Sequence, residues 1–363
     1  MGKMWSKANR FRGFANDLDK FVRNSQDGQT LGLPIGPDTS FLISEMIAAA
    51  IDEEIQKLGW RGFRFVDDFE FCFLSRSEAE QALPQLENIL SYFELALNNL
   101  KTSIDDLPVS LENTWRISIK GFVFPDFPNT GLLTEYFNLL FELYRENKTQ
   151  PILRYGIARL RSVQFKESHV LVDLIFQCIV IEPGALKEAL VLFERKGIIV
   201  DAAKMQHLIR TLIDIHGPMK HGTEVAWALW AALRYEINLP PQTISRLDNF
   251  DDCAVALLAL HAYQEGLAPR EVLDVWRHLM TPDSLTDGHW LLAYEADLKR
   301  WLPSQTVANH VDGDPLFSVL KQNNVSFYDD SIAVTDVDDT DEYGVDDADE
   351  EEDDEDEDHR AFD

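Results

Sequence analysis

Gly62 to Leu74, GFRFVDDFEFCFL, restricts the folds open to this chain more than any other stretch. Phe63 and Phe65 alternate with polar or small neighbours, and after Asp67-Asp68 the alternation resumes at Phe69, Phe71 and Phe73. Period-two aromatic spacing on both sides of a short polar break predicts a β-hairpin with one face buried. The bend would then lift two adjacent carboxylates on aromatic-rich strands. Asp is also an ordinary turn residue, so a plain turn is the competing reading. What decides between them is the sequence on either side.

Before the hairpin, residues 1–24 are locally basic, and Asn24 to Ser40 (NSQDGQTLGLPIGPDTS) is a loop by composition. Asp38 or Thr39 is placed to cap a following helix, whose core face carries Ile43, Ile47, Ile51, Ile55 and Leu58; Gly59 stops it. After the hairpin, Ser77-Glu78-Ala79-Glu80 has the form of a capping box. It opens a helix with Ala79, Leu83, Leu86, Ile89, Leu90 and Phe93 inward and Pro84 as a kink or first-turn residue. A Pro-containing loop and an alternating strand around Trp115 to Phe124 complete a mixed α/β unit.

From about residue 131 the texture is helix after helix: roughly 131–146, 151–165, 168–181, 184–196, 202–215, 222–236, 241–248, 251–264, 268–280 and 287–301. Paired antiparallel helices of this length stack into a solenoid. Trp227 and Trp230, three apart on an Ala/Leu-rich helix, read as core. His207, His216 and His221 sit among helix ends and turns without ligand spacing, which speaks against a metal there. Beyond Pro303 the apolar content fades.

The net charge of −30 is concentrated at the end of the chain, since Asp336 to Asp363 holds 18 acidic residues against one Arg. Such a segment cannot bury enough surface to fold. The remainder is still acidic and holds no basic patch large enough to track a phosphate backbone unaided. No long apolar run and no signal-peptide core are visible, which predicts a soluble, cytoplasmic protein without a membrane partner. Cys72, Cys178 and Cys253 are far apart in apolar patterns and read as buried thiols.

Three features occur in order. Gln29-Thr30-Leu31-Gly32-Leu33-Pro34-Ile35-Gly36-Pro37 gives a stiff loop whose backbone can approach a flat ligand such as a nucleotide. Phe65-Val66-Asp67-Asp68 offers paired carboxylates of the kind that hold Mg²⁺ for phosphoryl chemistry, because that ion prefers oxygen ligands and shares itself with phosphates. Asn98-Asn99-Leu100-Lys101-Thr102 places a lysine where it could neutralise a leaving pyrophosphate.

Together these resemble the palm of reverse transcriptases, in which a Gly-x-Pro loop, an aromatic-x-Asp-Asp hairpin and an Asn-x-x-Lys-Thr segment recur in this order. The loop wording, and Glu78-Ala79-Glu80 after the hairpin, look most like bacterial abortive-infection and defence-associated reverse transcriptases. Retron and group II intron enzymes are further off, since they carry Gln where this chain has Ile35. In the defence group a helical-repeat region follows the palm, and Tyr136-Phe137 with Ile152 to Ala158 looks like that junction.

The resemblance implies an α+β fold: a partial polymerase palm with an Asp-Asp hairpin over 1–130, an all-α helical-repeat, solenoid-like domain over 131–303, and a disordered acidic tail over 304–363. It implies Asp67 and Asp68 as magnesium ligands, Asp67 the more direct, and Lys101 as acid or charge stabiliser. Gly32, Pro34 and Gly36 would line the nucleotide and template floor, Gln29 would bond the incoming nucleotide, and Phe65 would stand where the family carries tyrosine.

The family needs a further metal-binding Asp, on a strand well before the Gly-Pro loop, together with basic finger strands. Asp17 and Asp19 lie instead in a helical-looking segment, NDLDKFVR. The expectation is a chain that starts inside the palm, with an incomplete two-ion Mg²⁺ site. Two functions follow. One is a fragment of an RNA-directed or template-independent DNA polymerase in antiphage defence, acting on dNTPs, an RNA template and a DNA product, with a separate chain supplying the fingers. The other is a catalytically inactive helical-repeat interaction protein with a remnant palm and an acidic tail.

Overall fold

The computed structural model describes residues 13–24, 33, 37–110, 112–166, 168–303 and 309–331, and these belong to two compact units, Met1–Leu111 and Glu112–Asp363. The described residues are mostly helical, with one two-stranded antiparallel sheet.

In the first unit, α1 (Phe14–Asn24) contains Asp17 and Asp19, the latter paired with Arg23 one turn on at 2.7 Å. Helix α2 (Asp38–Gln56) starts after Pro37 with no side-chain cap, so neither Asp38 nor Thr39 caps it. Its inner face buries Ile51 and Ile55, while Leu58, past the helix end, is exposed. Strands β1 (Arg61–Phe65) and β2 (Asp68–Cys72) form the hairpin, and α3 (Arg76–Tyr92) packs Leu86 and Leu90 against Ile51 and Ile55 of α2. Trp60, Phe69, Phe71, Phe93 and Leu97 close over this small core.

The cap of α3 lies two residues earlier than the sequence suggests. Ser75 accepts from the Glu78 N–H at 3.3 Å, and the Glu78 carboxylate reaches back to the Leu74 N–H at 3.1 Å. This satisfies two donors at one helix end. Pro84 is interior, and both it and Glu80, whose carbonyl loses its donor, are exposed.

The expected strand at 115–124 is a helix, α4 (Thr114–Lys120). Trp115 and Ile119 are buried and Ile117 is half exposed, so the apolar period is four rather than two. Further α-helices follow: α5 (Thr130–Glu146), α6 (Ile152–Arg159), α7 (His169–Ile181), α8 (Ala185–Arg195), α9 (Ala202–His216), α10 (Gly222–Arg234), α11 (Pro241–Ile244), α12 (Cys253–Gln264), α13 (Val272–Trp276), α14 (Trp290–Leu298) and α15 (His310–Gly313). The last described helix is α16 (Phe317–Gln322).

These helices stack in two rows: α6, α8, α10, α12 and α14 each pack on the next in one row, and α5, α7, α9 and α11 do so in the other. One continuous core runs from Trp115 to Leu302. The rows sit close where side chains permit. At Gly156 an added Cβ would stand 2.4 Å from Leu140 Cδ1, and the Tyr136 hydroxyl donates to the Gly156 carbonyl at 2.8 Å. Asn129, Asp201 and Asp252 cap α5, α9 and α12.

The apolar fading beyond Pro303 does not end the fold. Residues 309–331 pack back on α14: Tyr294 donates to the Val325 carbonyl at 2.6 Å, and Lys321 pairs with Asp297 at 2.8 Å. The fully buried Glu295 accepts from the Ser326 hydroxyl and the Phe327 N–H. A buried carboxylate is tolerated only when its lone pairs are used, so this strap is part of the helical unit. Residues 332–363, which hold the acidic run, lie outside the described residues.

Candidate functional site

Strand pairing places Phe65 opposite Asp68, Arg64 opposite Phe69 and Gly62 opposite Phe71, with Val66 and Asp67 as a two-residue turn. Paired numbers therefore sum to an odd value, so an odd residue on β1 faces an even residue on β2. Phe63 and Phe65 cannot share a face with Phe69, Phe71 and Phe73, although all five are odd. One face carries Gly62, Arg64, Phe69 and Phe71 and is covered by helices, with Trp60 edge-on to Phe71 and Phe73 at 5.3 and 5.6 Å. The Phe71 ring lies over Gly62, where a Cβ would come within 2.5 Å of it. The other face carries Phe63, Phe65, Asp68, Glu70 and Cys72, all exposed, and this is why Cys72 is not a buried thiol. Cys178 is buried and Cys253 half-buried.

Arg64 was no candidate in the sequence, yet it organises this hairpin. Its guanidinium bonds Asp52 at 2.9 Å and Glu45 at 3.0 and 3.2 Å, two carboxylates on one face of α2, and also donates to the Val66 carbonyl. The hydrogen bonds to Asp52 and then Glu45 raise its pKa above the usual arginine range. One fork thus ties the sheet to the helix and the turn to both. Only its pairing partners, seven residues apart on a helix, could have signalled it.

Val66 has φ of 56°, and among the described residues it is the only β-branched residue at positive φ. That conformation costs about 1–3 kcal/mol and persists only where the surroundings impose it. It turns the chain so that Asp67 occupies the bend and Asp68 opens β2 on the exposed face. Both carboxylates are exposed, and neither has a hydrogen-bonding or ionic partner among the described residues.

Lys101 is exposed in a turn in which Asn98 accepts from the backbone N–H groups of Lys101 and Thr102 at 2.9 and 3.0 Å. No hydrogen bond or ion pair joins Lys101 to Asp67 or Asp68. Gln29, Gly32, Pro34 and Gly36 lie outside the described residues. Of the expected site, the structure therefore places Phe65, Asp67 and Asp68 at one hairpin tip, with Lys101 making no bond to either carboxylate.

A second constellation stands where the linear sequence offered no ligand spacing. His216 ends α9 and His221 precedes α10, and their Nδ1 atoms are 2.9 Å apart. Together with Glu224 they present ligand atoms that all lie within 4.8 Å of one another; His207 is not among them. Burial lowers the His216 pKa, as does His221, against the opposing pull of Glu224. The linear spacing carries no helical ligand period because the intervening turn, not a helix, brings the rings together. Trp227 and Trp230 are half-buried against the core with rings edge-on at 5.2 Å, as expected of packing residues.

No protein-family model matches this chain, and no curated relative matches it. Among the described residues no helix is long and apolar enough to cross a membrane.

Proposed function

We propose that the first unit carries one carboxylate-bearing part of a magnesium-dependent nucleotidyl-transfer site, as in the palm of an RNA-directed or template-independent DNA polymerase of antiphage defence. The observation that carries this reading is the Asp67-Asp68 tip, held by a strained Val66 turn and an Arg64 clamp, with both carboxylates left unpaired. A turn serving only to reverse the chain gains nothing from a β-branched residue at positive φ. The same two positions fall where the resemblance to reverse transcriptases expects metal ligands. The donor set fits Mg²⁺, since it is oxygen-only, exposed and free of competing cations among the described residues.

Asp67 and Asp68 would hold the ion, which when bound supplies charge neutralisation to a triphosphate. The chain's own part is to fix the two carboxylates relative to one another through Arg64, and to offer the Phe63 and Phe65 rings beside them as an apolar floor for a base or sugar. A third carboxylate strand is not among the described residues, and this reading requires one.

Titration of the full chain with Mn²⁺, a paramagnetic stand-in for Mg²⁺, in the presence of a deoxynucleoside triphosphate tests this. Asp67→Asn with Asp68→Asn should weaken Mn²⁺–nucleotide binding by about 10-fold or more, the range seen when metal-site partners are removed. Equal binding by wild type and the double variant sinks the proposal.

The second reading, an interaction protein whose stacked helices form a solenoid-like repeat and which carries a palm remnant, draws support from the two-row stacking and from the presence of just one two-stranded sheet among the described residues. It predicts no nucleotide binding by either protein.

A further inference from the structure

We propose that His216, His221 and Glu224 form a binding site for a transition-metal ion of the zinc class, at the turn joining α9 to α10. This site lies in the helical unit and is independent of the hairpin and its reading.

The backbone positions the ligands without help from an ion. The Gly217 N–H closes α9 on the Ile213 carbonyl at 2.9 Å, the Lys220 N–H returns to Gly217 at 3.1 Å, and the His221 N–H returns to the His216 carbonyl at 3.2 Å. Lys220, at φ 59°, anchors this turn outward by donating to the Asp248 carbonyl, and its ammonium lies over the Phe250 ring at 5.1 Å. Gly217 permits the close approach, since a Cβ there would meet the Arg246 carbonyl at 2.9 Å. The turn thus brings the two rings together, tilted by 35° with centroids 5.2 Å apart, and Glu224 follows in the first turn of α10.

Protein hydrogen bonding alone leaves this cluster under-used. Two imidazoles presenting Nδ1 to each other share at most one proton, which forces one ring into the Nδ1–H tautomer. The Glu224 carboxylate is half-buried, close to both rings, and has no hydrogen-bond partner among the described residues. Nearby Asp252 is already engaged, capping α12 through the Val255 N–H at 3.0 Å. Three lone-pair-bearing atoms therefore converge around a single shared proton.

A cation removes that conflict. Zinc bonds of about 2.0–2.2 Å to nitrogen and oxygen require ligand atoms only a little over 3 Å apart, within a small side-chain adjustment of the present spacing. Two imidazoles with one carboxylate suit Zn²⁺, Co²⁺ or Ni²⁺ and disfavour Mg²⁺ and Ca²⁺, which take oxygen. All three residues are half-buried, which leaves a fourth position open to water.

The test is titration of the full chain with Zn²⁺ against a competing chelator, and with Co²⁺ read in the visible spectrum. One equivalent should bind far more tightly than the acidic run near the C-terminus does, and Co²⁺ should give the intense bands of a four-coordinate site. His221→Ala and Glu224→Gln should each lose that equivalent, weakening binding by about 100-fold or more, at or above the cost of removing an outer-shell partner. Glu224→Gln is isosteric and lies in the first turn of α10, so far-UV circular dichroism should match wild type and keep the comparison valid if His221→Ala misfolds. Binding of equal affinity in wild type and Glu224→Gln, no tight equivalent in wild type, or a pale six-coordinate Co²⁺ spectrum each overturns the proposal.

Discussion

The two compact units solve the same problem with unequal means. The helical unit buries an unbroken set of side chains from Trp115 to Leu302, including Trp276, Tyr136, Tyr155 and Phe137 at no measurable exposure. The first unit buries Ile51, Ile55, Leu86 and Leu90 under a few half-buried rings, and leaves Phe41, Leu42, Phe63, Phe65 and Leu100 at more than half exposure. In the helical unit, order comes from many redundant apolar contacts. In the first, it depends on one arginine fork and an aromatic layer. The lesson is that the unit with least packing also holds, among the described residues, the one β-branched turn at positive φ and the unpaired Asp67-Asp68 pair on which the proposed chemistry rests.

The comparison breaks most readily at core positions. Phe137→Ala should destabilise the helical unit by about 3–5 kcal/mol, because the cavity opens between closely packed rows. Leu86→Ala should cost the first unit less than the roughly 2–5 kcal/mol range for a full core, since its shallow layer can collapse. Urea denaturation followed by circular dichroism measures both, and equal losses would end the contrast.

Next in size is Glu295→Leu, which removes the acceptor for the Ser326 hydroxyl and the Phe327 N–H and should cost about 1–3 kcal/mol. Limited proteolysis should then cut within 309–331 while the rows of helices stay intact.

Arg64→Met should cost about 1–2 kcal/mol, the low end for hydrogen bonds to charged groups, because Glu45 and Asp52 are a third exposed to water. Hydrogen exchange should speed up across Arg61–Cys72 and stay unchanged beyond residue 112. Val66→Gly acts in the opposite sense. Relief of the positive-φ strain should stabilise the hairpin by about 1 kcal/mol while loosening the carboxylate geometry, read as slower exchange with weaker Mn²⁺ binding.

The smallest effect expected is a pH dependence of the strap. His261 stacks on Trp301 at 4.9 Å and bonds the Tyr328 hydroxyl at 3.0 Å. Burial lowers its pKa from 6.5 and Lys299 adds to this, while Asp330 and Glu265 oppose it. A base held below its unfolded pKa contributes stability that is complete above about pH 6.5 and shrinks as the pH falls through the lowered value. Trp301 fluorescence should therefore change on acidification in wild type and much less in His261→Phe.

Much of the helical unit was legible in the sequence because its signal is repeated. Periods of three to four residues and turns at Gly and Pro mark the same boundaries, and the structure adds the caps Asn129, Asp201 and Asp252. The strand expected at 115–124 failed for want of such redundancy. Trp115, Ile117 and Ile119 fit a two-residue period as well as a four-residue one until the burial of Trp115 and Ile119 chose between them. The strap failed because its anchors, Tyr294, Glu295 and Asp297, lie far from the residues they hold.

For the candidate sites, the amino-acid order alone determined that a hairpin exists and that its bend falls at the acidic pair, since both follow from local alternation; pairing then put Val66 and Asp67 in the turn and Asp68 at the start of β2. Which aromatics face water, the part played by Arg64, and the meeting of His216 with His221 and Glu224 were decided only by the tertiary structure. Register, clamping and convergence depend on how separate segments pair, and pairing is set by distances that no run of neighbouring residues encodes.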